Sequence, residues 1–315
     1  MNKFSEKKAT RTGYGEGLLE LGEKNSDVVV ISLDLTESTA LHKFKEKFPS
    51  RFISLGIAEQ NGITAAAGLS LCGKIPFVST FAVFASGRVY DQIRVSVCYS
   101  NTNVKIGATH SGITVGPDGA THQATEDIAL MQVLPRMTVL VPCDALETKK
   151  ATIAAGEIFG PVYIRSGREP VPVITAPETP FVIGKANVLK EGKDVAIIAC
   201  GIMVYESLVA AETLEKKGIK ARVINMHTIK PIDKDIIIKA AKECGAIVTV
   251  EEHQVIGGLG SRVAEIVVEN SPAVMKIIGI QDKFGESGQA QELLKYYHLK
   301  DTDIVDAVET LLKKK

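Results

Sequence analysis

Short apolar runs alternate with helical patterns along most of the chain. Because each run is short and bounded by Gly, Pro or Asp, strands are favoured over helices at these runs. The first part of the chain is predicted to contain strands at residues 28–33, 76–80, 104–108, 137–141 and 162–165, and a short strand followed by a turn at the start of residues 51–61, before Glu59. Helices are predicted between them, near residues 14–24, 58–71, 84–98, 123–133 and 144–157. This alternation predicts parallel βαβ units with right-handed crossovers.

A second series of the same kind follows a proline-rich segment. Residues 168–182 contain four prolines, which predicts a semi-rigid connector because proline fixes φ and lacks a backbone donor. Beyond it, strands are predicted at residues 195–200, 221–225, 246–250 and 276–280, with helices near 203–217, 233–243, 259–269 and 302–314. We therefore predict an α/β protein with two doubly wound domains, residues 1–167 and 183–315, joined by residues 168–182.

Composition narrows the class of protein. The 315 residues include 45% hydrophobic residues and no Trp, which suits aliphatic cores of buried parallel sheets. Basic and acidic residues balance at 37 each, so net charge gives no reason to expect nucleic acid or an anionic membrane as a partner. No apolar run approaches the roughly 20 residues that span a bilayer. The five scattered cysteines show no Cys-x-x-Cys spacing, so they give no sign of a zinc site or a redox motif. From these properties together we predict a soluble cytoplasmic protein.

Polar and aromatic side chains fall where the predicted strands end. Ligands of doubly wound sheets bind beyond the carboxyl ends of the strands. The side chains concerned are Asp34, Glu59, Phe81, Phe84, His110, Asp118, His122 and Arg165. Each has an ordinary structural explanation alone; Glu59, for example, lies in the first turn of a predicted helix, where a carboxylate complements the helix dipole. Their joint placement at strand ends indicates a cofactor site.

Three motifs make this indication specific. They are Gly56-Ile-Ala-Glu-Gln-Asn61, Ser79-Thr-Phe-Ala-Val-Phe84 and the segment from Thr109 to Gln123, which reads Thr-His-Ser-Gly-Ile-Thr-Val-Gly-Pro-Asp-Gly-Ala-Thr-His-Gln. In this order they resemble the pyrimidine-binding domain of transketolase, and the likeness extends from Arg11 to the final helix. The family's diphosphate-binding half carries a Gly-Asp-Gly motif, which this sequence lacks. The chain therefore resembles the C-terminal subunit of a split transketolase.

The resemblance implies roles for four residues around thiamine diphosphate. Glu59 would hydrogen-bond a ring nitrogen of the aminopyrimidine and favour its imino tautomer, a role that needs a carboxyl shielded from water. Phe84 would stack on the pyrimidine, with Phe81 in the same pocket wall. Asp34 would lie near the thiazolium side. A divalent ion such as Mg²⁺ would be held mainly by the partner chain, so no metal ligands are assigned here.

The resemblance also implies a sugar phosphate site. His110 and His122 would bind substrate hydroxyls and the carbonyl and would move protons, because imidazole can do both near neutral pH. Asp118 would accept a hydrogen bond from a sugar hydroxyl. Guanidinium groups suit a phosphate dianion. The phosphate would accordingly be held by Arg11, Ser38 and Arg165.

The implied reaction is the reversible transfer of a two-carbon ketol unit from a ketose phosphate to an aldose phosphate, as in the pentose phosphate pathway. An N-terminal transketolase subunit would complete the site, in an assembly of two copies of each chain. One alternative is another thiamine enzyme, similar to 1-deoxy-D-xylulose-5-phosphate synthase or to the beta chain of a 2-oxoacid dehydrogenase. Thr109-His110 favours transketolase, because the synthase usually lacks this pair. A non-catalytic scaffold subunit is the other alternative, and Glu59 with both histidines argues against it.

Two positions depart from the family pattern, and the second domain carries little signal. Gly87 stands where many transketolases have a tyrosine beside the cofactor ring, so this wall is expected to be more open. Gln60 replaces a residue that is often His or Phe. In the second domain, Glu251-Glu-His253 is interpreted as polar residues at a strand end, and no convergent polar cluster is found. The resemblance implies only that this domain helps dimerisation.

Overall fold

The computed structural model describes residues 4–315. Its strands are β1 (Lys7–Ala9), β2 (Val28–Ser32), β3 (Phe52–Ser54), β4 (Ile75–Phe81), β5 (Lys105–Thr109), β6 (Thr138–Leu140), β7 (Val162–Arg165), β8 (Pro170–Pro172), β9 (Asn187–Lys190), β10 (Val195–Ala199), β11 (Ala221–Asn225), β12 (Thr228–Lys230), β13 (Ala246–Gln254) and β14 (Val274–Ile280). Every predicted strand is present, with boundaries shifted by a few residues.

Helices occupy most of the segments between the strands. They are α1 (Thr10–Lys24), α2 (His42–Lys47), α3 (Glu59–Leu71), α4 (Tyr90–Gln92), α5 (Asp127–Gln132), α6 (Ala145–Glu157), α7 (Met203–Lys216), α8 (Lys234–Cys244), α9 (Leu259–Asn270), α10 (Ala290–Tyr296) and α11 (Asp301–Leu312). Within residues 4–315, no helix combines the length and the apolar character needed to cross a membrane.

Two large sheets organise these elements. The first has seven strands in the order β12-β6-β7-β5-β4-β2-β3, and the second has five in the order β14-β13-β10-β11-β9. Strands β2 to β7 pair in parallel within the first sheet, as do β10, β11, β13 and β14 within the second. The central strands β2, β5, β7, β10 and β11 are buried along their whole length, as helices on both faces of a parallel sheet require.

The two sheets are linked by an element that the sequence does not predict. Strand β12 follows β11 in the chain but pairs antiparallel with β6 of the first sheet, Thr228 lying opposite Leu140. Strand β8 lies within the proline-rich connector and pairs with β1, Pro170 lying opposite Ala9. Each of these strands is three residues long, too short for a recognisable alternation of apolar and polar residues.

One predicted helix is irregular. The segment predicted as a helix near residues 84–98 contains two π-helical stretches, Phe84–Arg88 and Ile93–Tyr99, separated by α4. Ser86 contributes to the irregularity because its hydroxyl donates a hydrogen bond to the Ala82 carbonyl at 2.8 Å, and Gly87 follows it directly. Such π-helical turns occur frequently at functional sites.

The interpretation of Glu251-Glu-His253 as a strand end is wrong. Strand β13 continues to Gln254, so these three residues lie inside it, and all three are buried. Four cysteines are buried as expected of small apolar residues, whereas Cys72 is exposed.

Candidate active site

Glu59 is the first residue of α3, as predicted. It follows a tight turn in which Gly56 adopts φ 70°, a conformation that glycine reaches without steric cost. Only 4% of Glu59 is exposed. Its Oε1 accepts a hydrogen bond from Arg88 Nη1 at 2.9 Å, and about half of the Arg88 side chain is exposed. The carboxylate is thus shielded from water and has an exposed cation as its partner.

Four predicted rings pack together beside this pair. The Phe81 and His110 rings are stacked with centroids 3.8 Å apart, and the Phe84 centroid lies 6.1 Å from that of Phe81. The His122 ring meets the Phe84 ring edge-on at 5.5 Å. The Arg88 guanidinium lies over the Phe84 ring, with its Cζ 4.3 Å from the ring centroid. Contacts therefore run without a break from Glu59 to His110.

His110 stands at the end of β5 in an unusual conformation. Its φ is 58°, an uncommon value for a residue other than glycine, and only 3% of it is exposed. The ring Nδ1 is hydrogen-bonded to Thr109 Oγ1 at 2.9 Å. Burial lowers the pKa of His110 to about 3, and the nearby cations Arg11 and Arg168 contribute to the same shift. At neutral pH the imidazole is neutral, so one ring nitrogen can donate a hydrogen bond while the other accepts one.

Arg11 lies in the first turn of α1, from where it reaches the cleft. Its Nη1 donates a hydrogen bond to the Ser38 carbonyl oxygen at 2.7 Å, so these two predicted residues are in contact. Burial and then Arg168 lower the pKa of Arg11, which means that a further positive charge lies close by. Asp34 is exposed beyond β2 with φ 65°, and within residues 4–315 its side chain makes no hydrogen bond or ion pair.

Arg168 is the residue that the sequence interpretation missed. Its Nη1 donates to the Val115 carbonyl at 2.8 Å and lies 3.1 Å from Asp118 Oδ1, and about a third of each of the Arg168 and Asp118 side chains is exposed. Together with Arg11 it surrounds His110 with positive charge. The strand-end rule could have identified Arg168, because this residue follows the end of β7. It was missed because it lies at the start of the segment predicted to be a connector.

The assignment of Arg165 to phosphate binding is corrected by the structure. Arg165 is 5% exposed, and its Nε donates to Asp127 Oδ2 at 2.8 Å. Its Nη2 donates to the carbonyl oxygens of Ala124 and Glu252. A guanidinium committed to these internal partners supports the loop beneath the site and does not face a ligand.

A Cβ added at Gly87 would meet no atom within 4 Å, which agrees with the expectation of an open wall at this position. Gln60 is exposed on α3. In the described part of the chain, no group of three or more His, Cys, Asp or Glu side chains is arranged to hold a metal ion.

Two family descriptions match the chain. "Transketolase, pyrimidine binding domain" matches residues 6–173, and "Transketolase, C-terminal domain" matches residues 184–304. The chain belongs to the transketolase family. The resemblance inferred from the three motifs is therefore confirmed, and so is the α/β fold class with its two doubly wound parts.

Three transketolase relatives match over nearly their full length. A solved structure described as "Split gene transketolase, inactive beta4 tetramer" aligns with a TM-score of 0.91 and 52% identity, covering 97% of this chain and 98% of that one. The 6-deoxy-6-sulfo-D-fructose transketolase subunit SqwH of Clostridium sp. (strain MSTE9) is 42% identical over 305 residues, covering 97% of this chain and 95% of the relative. One subunit of the apulose-4-phosphate transketolase of Phocaeicola vulgatus is 40% identical over 307 residues, covering 97% of this chain and 98% of the relative.

Proposed function

We propose that this chain is the C-terminal subunit of a split transketolase, which transfers a two-carbon ketol unit between sugar phosphates. The observation that carries the proposal is the unbroken set of contacts from the buried Glu59 carboxylate through Arg88, Phe84 and His122 to Phe81 and His110. A shielded carboxylate suits the ring-nitrogen edge of an aminopyrimidine, and an aromatic ring beside it suits the flat face. When bound, thiamine diphosphate supplies the carbanion chemistry.

The chain's own residues bind and orient the reactants. Glu59 would form a hydrogen bond with the pyrimidine ring nitrogen and share its proton, and Phe84 would provide the surface on which that ring stacks. Neutral His110 can donate to a substrate carbonyl or accept from a hydroxyl, and the half-buried His122 ring lies edge-on to Phe81 with centroids 6.3 Å apart. Arg11 and Arg168 supply fixed positive charge for the phosphate of the sugar.

A second chain is needed to hold the diphosphate and its Mg²⁺. The sequence contains no Gly-Asp-Gly motif, and no metal-binding cluster occurs in residues 4–315. The relatives named as transketolase subunits support the same division of the site between two chains. We propose a partner carrying that motif and an assembly with two copies of each chain. The donor sugar is left for experiment to identify, because these relatives are named for different sugars.

Reconstitution tests the proposal. The purified chain with thiamine diphosphate, Mg²⁺ and a panel of ketose phosphates is expected to give no sugar exchange above background. The same mixture with a co-expressed chain that carries Gly-Asp-Gly should transfer a two-carbon unit to an aldose phosphate, measured by mass spectrometry of the products. Exchange by the chain alone would contradict the divided site, and absence of exchange with every ketose phosphate after assembly would contradict the function.

A further inference from the structure

The loop that carries both histidines is held by the second part of the chain. This histidine loop, residues 110–125, has three glycines with positive φ, Gly112, Gly116 and Gly119, at 75°, 84° and 73°. Between Gly112 and Gly119 the backbone forms only two short 3₁₀ turns separated by a kink at Gly116, and glycine loses more conformational freedom on folding than other residues. Its shape must therefore be fixed by contacts from neighbouring elements.

Glu252 of β13 makes the most central of these contacts. Its carboxylate Oε1 accepts a hydrogen bond from the Thr114 backbone N–H at 2.6 Å. The same carboxylate packs against the bare α-carbon of Gly112, where an added Cβ would lie 2.2 Å from Glu252 Cδ. The Glu252 carbonyl accepts from Arg165 Nη2, which also binds the Ala124 carbonyl of the loop. Glu252 thus contacts the loop near its start and, through Arg165, near its end.

Further contacts from the same part of the chain hold the loop's second half. The Gln254 backbone N–H donates to the Thr125 carbonyl at 2.7 Å. Gln123 Nε2 donates to the Glu286 carbonyl at 2.9 Å and to the Ile113 carbonyl at 3.0 Å, which ties the loop to itself and to the segment after β14. The partners outside the loop lie at the end of β13 and beyond β14 of the second sheet.

We propose that Glu252 is a positioning residue of the sugar site, acting through the histidine loop, and that the second part of the chain thereby sets sugar binding as well as any self-association. The expected effect on sugar kinetics rests on the proposed function. The claim that Glu252 holds the loop does not. The Glu59, Arg88 and Phe84 group lies on α3 and the π-helical stretch after β4, away from Glu252, and meets the loop at the His122 ring, which lies edge-on to Phe84. Loss of the Glu252 contact should therefore affect sugar binding and leave cofactor binding intact.

Glu252→Asp is the decisive variant, since it keeps a buried carboxylate but withdraws it from Thr114 and Gly112. In the purified chain, hydrogen–deuterium exchange of residues 110–125 should become faster. In the reconstituted complex, kcat/KM for the sugar phosphate should fall on the order of 10- to 100-fold, as a misplaced catalytic group implies. The dissociation constant of thiamine diphosphate should stay within about two-fold of the unmutated complex, which is roughly 0.4 kcal/mol.

Two further variants separate positioning from general stability. Glu252→Gln has the length and an acceptor oxygen for Thr114 N–H, so it should restore both the slow exchange and most of the activity. Glu251→Asp is the matched control, because Glu251 is equally buried in β13 but binds the Leu259 and Gly260 N–H groups of α9. It should lower the melting temperature without changing exchange in the loop or the KM for sugar.

Each result has a defined meaning. Unchanged exchange in the histidine loop of Glu252→Asp, or an equal effect of Glu251→Asp on sugar binding, would overturn the role of Glu252. A joint loss of cofactor and sugar binding would also overturn it, since that pattern reports general unfolding. If the unmutated complex transfers no ketol unit, the proposed function fails, and the exchange measurement on the purified chain still decides whether Glu252 holds the loop.

Discussion

The cofactor side and the sugar side of the candidate site are supported in different ways. Glu59, Phe84 and Arg88 come from two neighbouring stretches of the first part of the chain, and the wall beside them is open at Gly87. The histidine loop contacts β13, the end of β7 and the segment after β14. The proposed sugar side is therefore held from within this chain, whereas the proposed cofactor side has an open wall at Gly87.

The largest effect is expected from Glu59→Gln in the reconstituted complex. The amide is nearly isosteric with the carboxylate but cannot share a proton with the pyrimidine, so kcat should fall by roughly 10²–10⁴, the usual contribution of a positioned acid or base. Steady-state sugar exchange measures this change. Glu46→Gln on the exposed face of α2 is the control and should keep normal turnover. Full activity of Glu59→Gln would show that the cofactor side is assigned wrongly.

A smaller effect of opposite sign is expected from Arg88→Met. In this structure Arg88 makes the two contacts proposed for the pyrimidine, since it binds the Glu59 carboxylate and lies over the Phe84 ring. The cofactor must therefore displace it. The guanidinium is half-exposed although the carboxylate is buried, and an ion pair open to solvent on one side is taken to contribute about 0–1 kcal/mol. Its removal should therefore tighten thiamine diphosphate binding by no more than about five-fold.

Calorimetric titration of the assembled complex measures this affinity. Arg94→Met is the matched control, because Arg94 is exposed on the following π-helical stretch. Weaker cofactor binding in Arg88→Met would mean that the arginine assists the cofactor and does not compete with it.

The smallest effect is expected from pH at His110. Because burial lowers its pKa to about 3, the ring should show no titration between about pH 5 and 8, where an unperturbed histidine near pKa 6.5 would change charge. The unfolded chain takes up this proton near pH 6.5 and the folded chain only near pH 3. The stability that the neutral ring contributes is therefore present above about pH 6.5 and is lost as pH falls toward 3.

Nuclear magnetic resonance of ring-labelled histidine tests this prediction, with His110→Gln used to assign the signal. A titration midpoint for His110 near pH 6.5 would show that the loop admits water freely. That result would remove the contrast between a firmly held sugar side and an open cofactor side.

The sequence predicts the features that follow from local pattern. The apolar run that forms β2 and the glutamate that begins α3 are examples, because a buried strand and a helical first turn each have a signature within a few residues. The strand-end rule also identified His110, Phe81 and Glu59, which the structure connects through packed rings. These features depend on neighbours close in the sequence.

The features that the sequence does not predict depend on distant partners. Arg165 and Arg168 lie three positions apart at the end of one strand. The first turns inward because its partners, the buried Asp127 and two backbone carbonyls, lie there. Glu252 had no visible signal, since its partner Thr114 lies 138 residues away in the chain. Strand β12 is equally hard to predict, because its three residues form a strand by pairing with β6.

Strand β12 has a consequence for whether the two parts of this chain could exist as separate proteins. It covers the edge of β6, so a gene shortened to encode only the pyrimidine-binding part would leave that edge with unpaired N–H and C=O groups. Exposed strand edges invite pairing with other chains and aggregation. A division of the chain at the connector would therefore give a pyrimidine-binding fragment whose exposed β6 edge promotes aggregation.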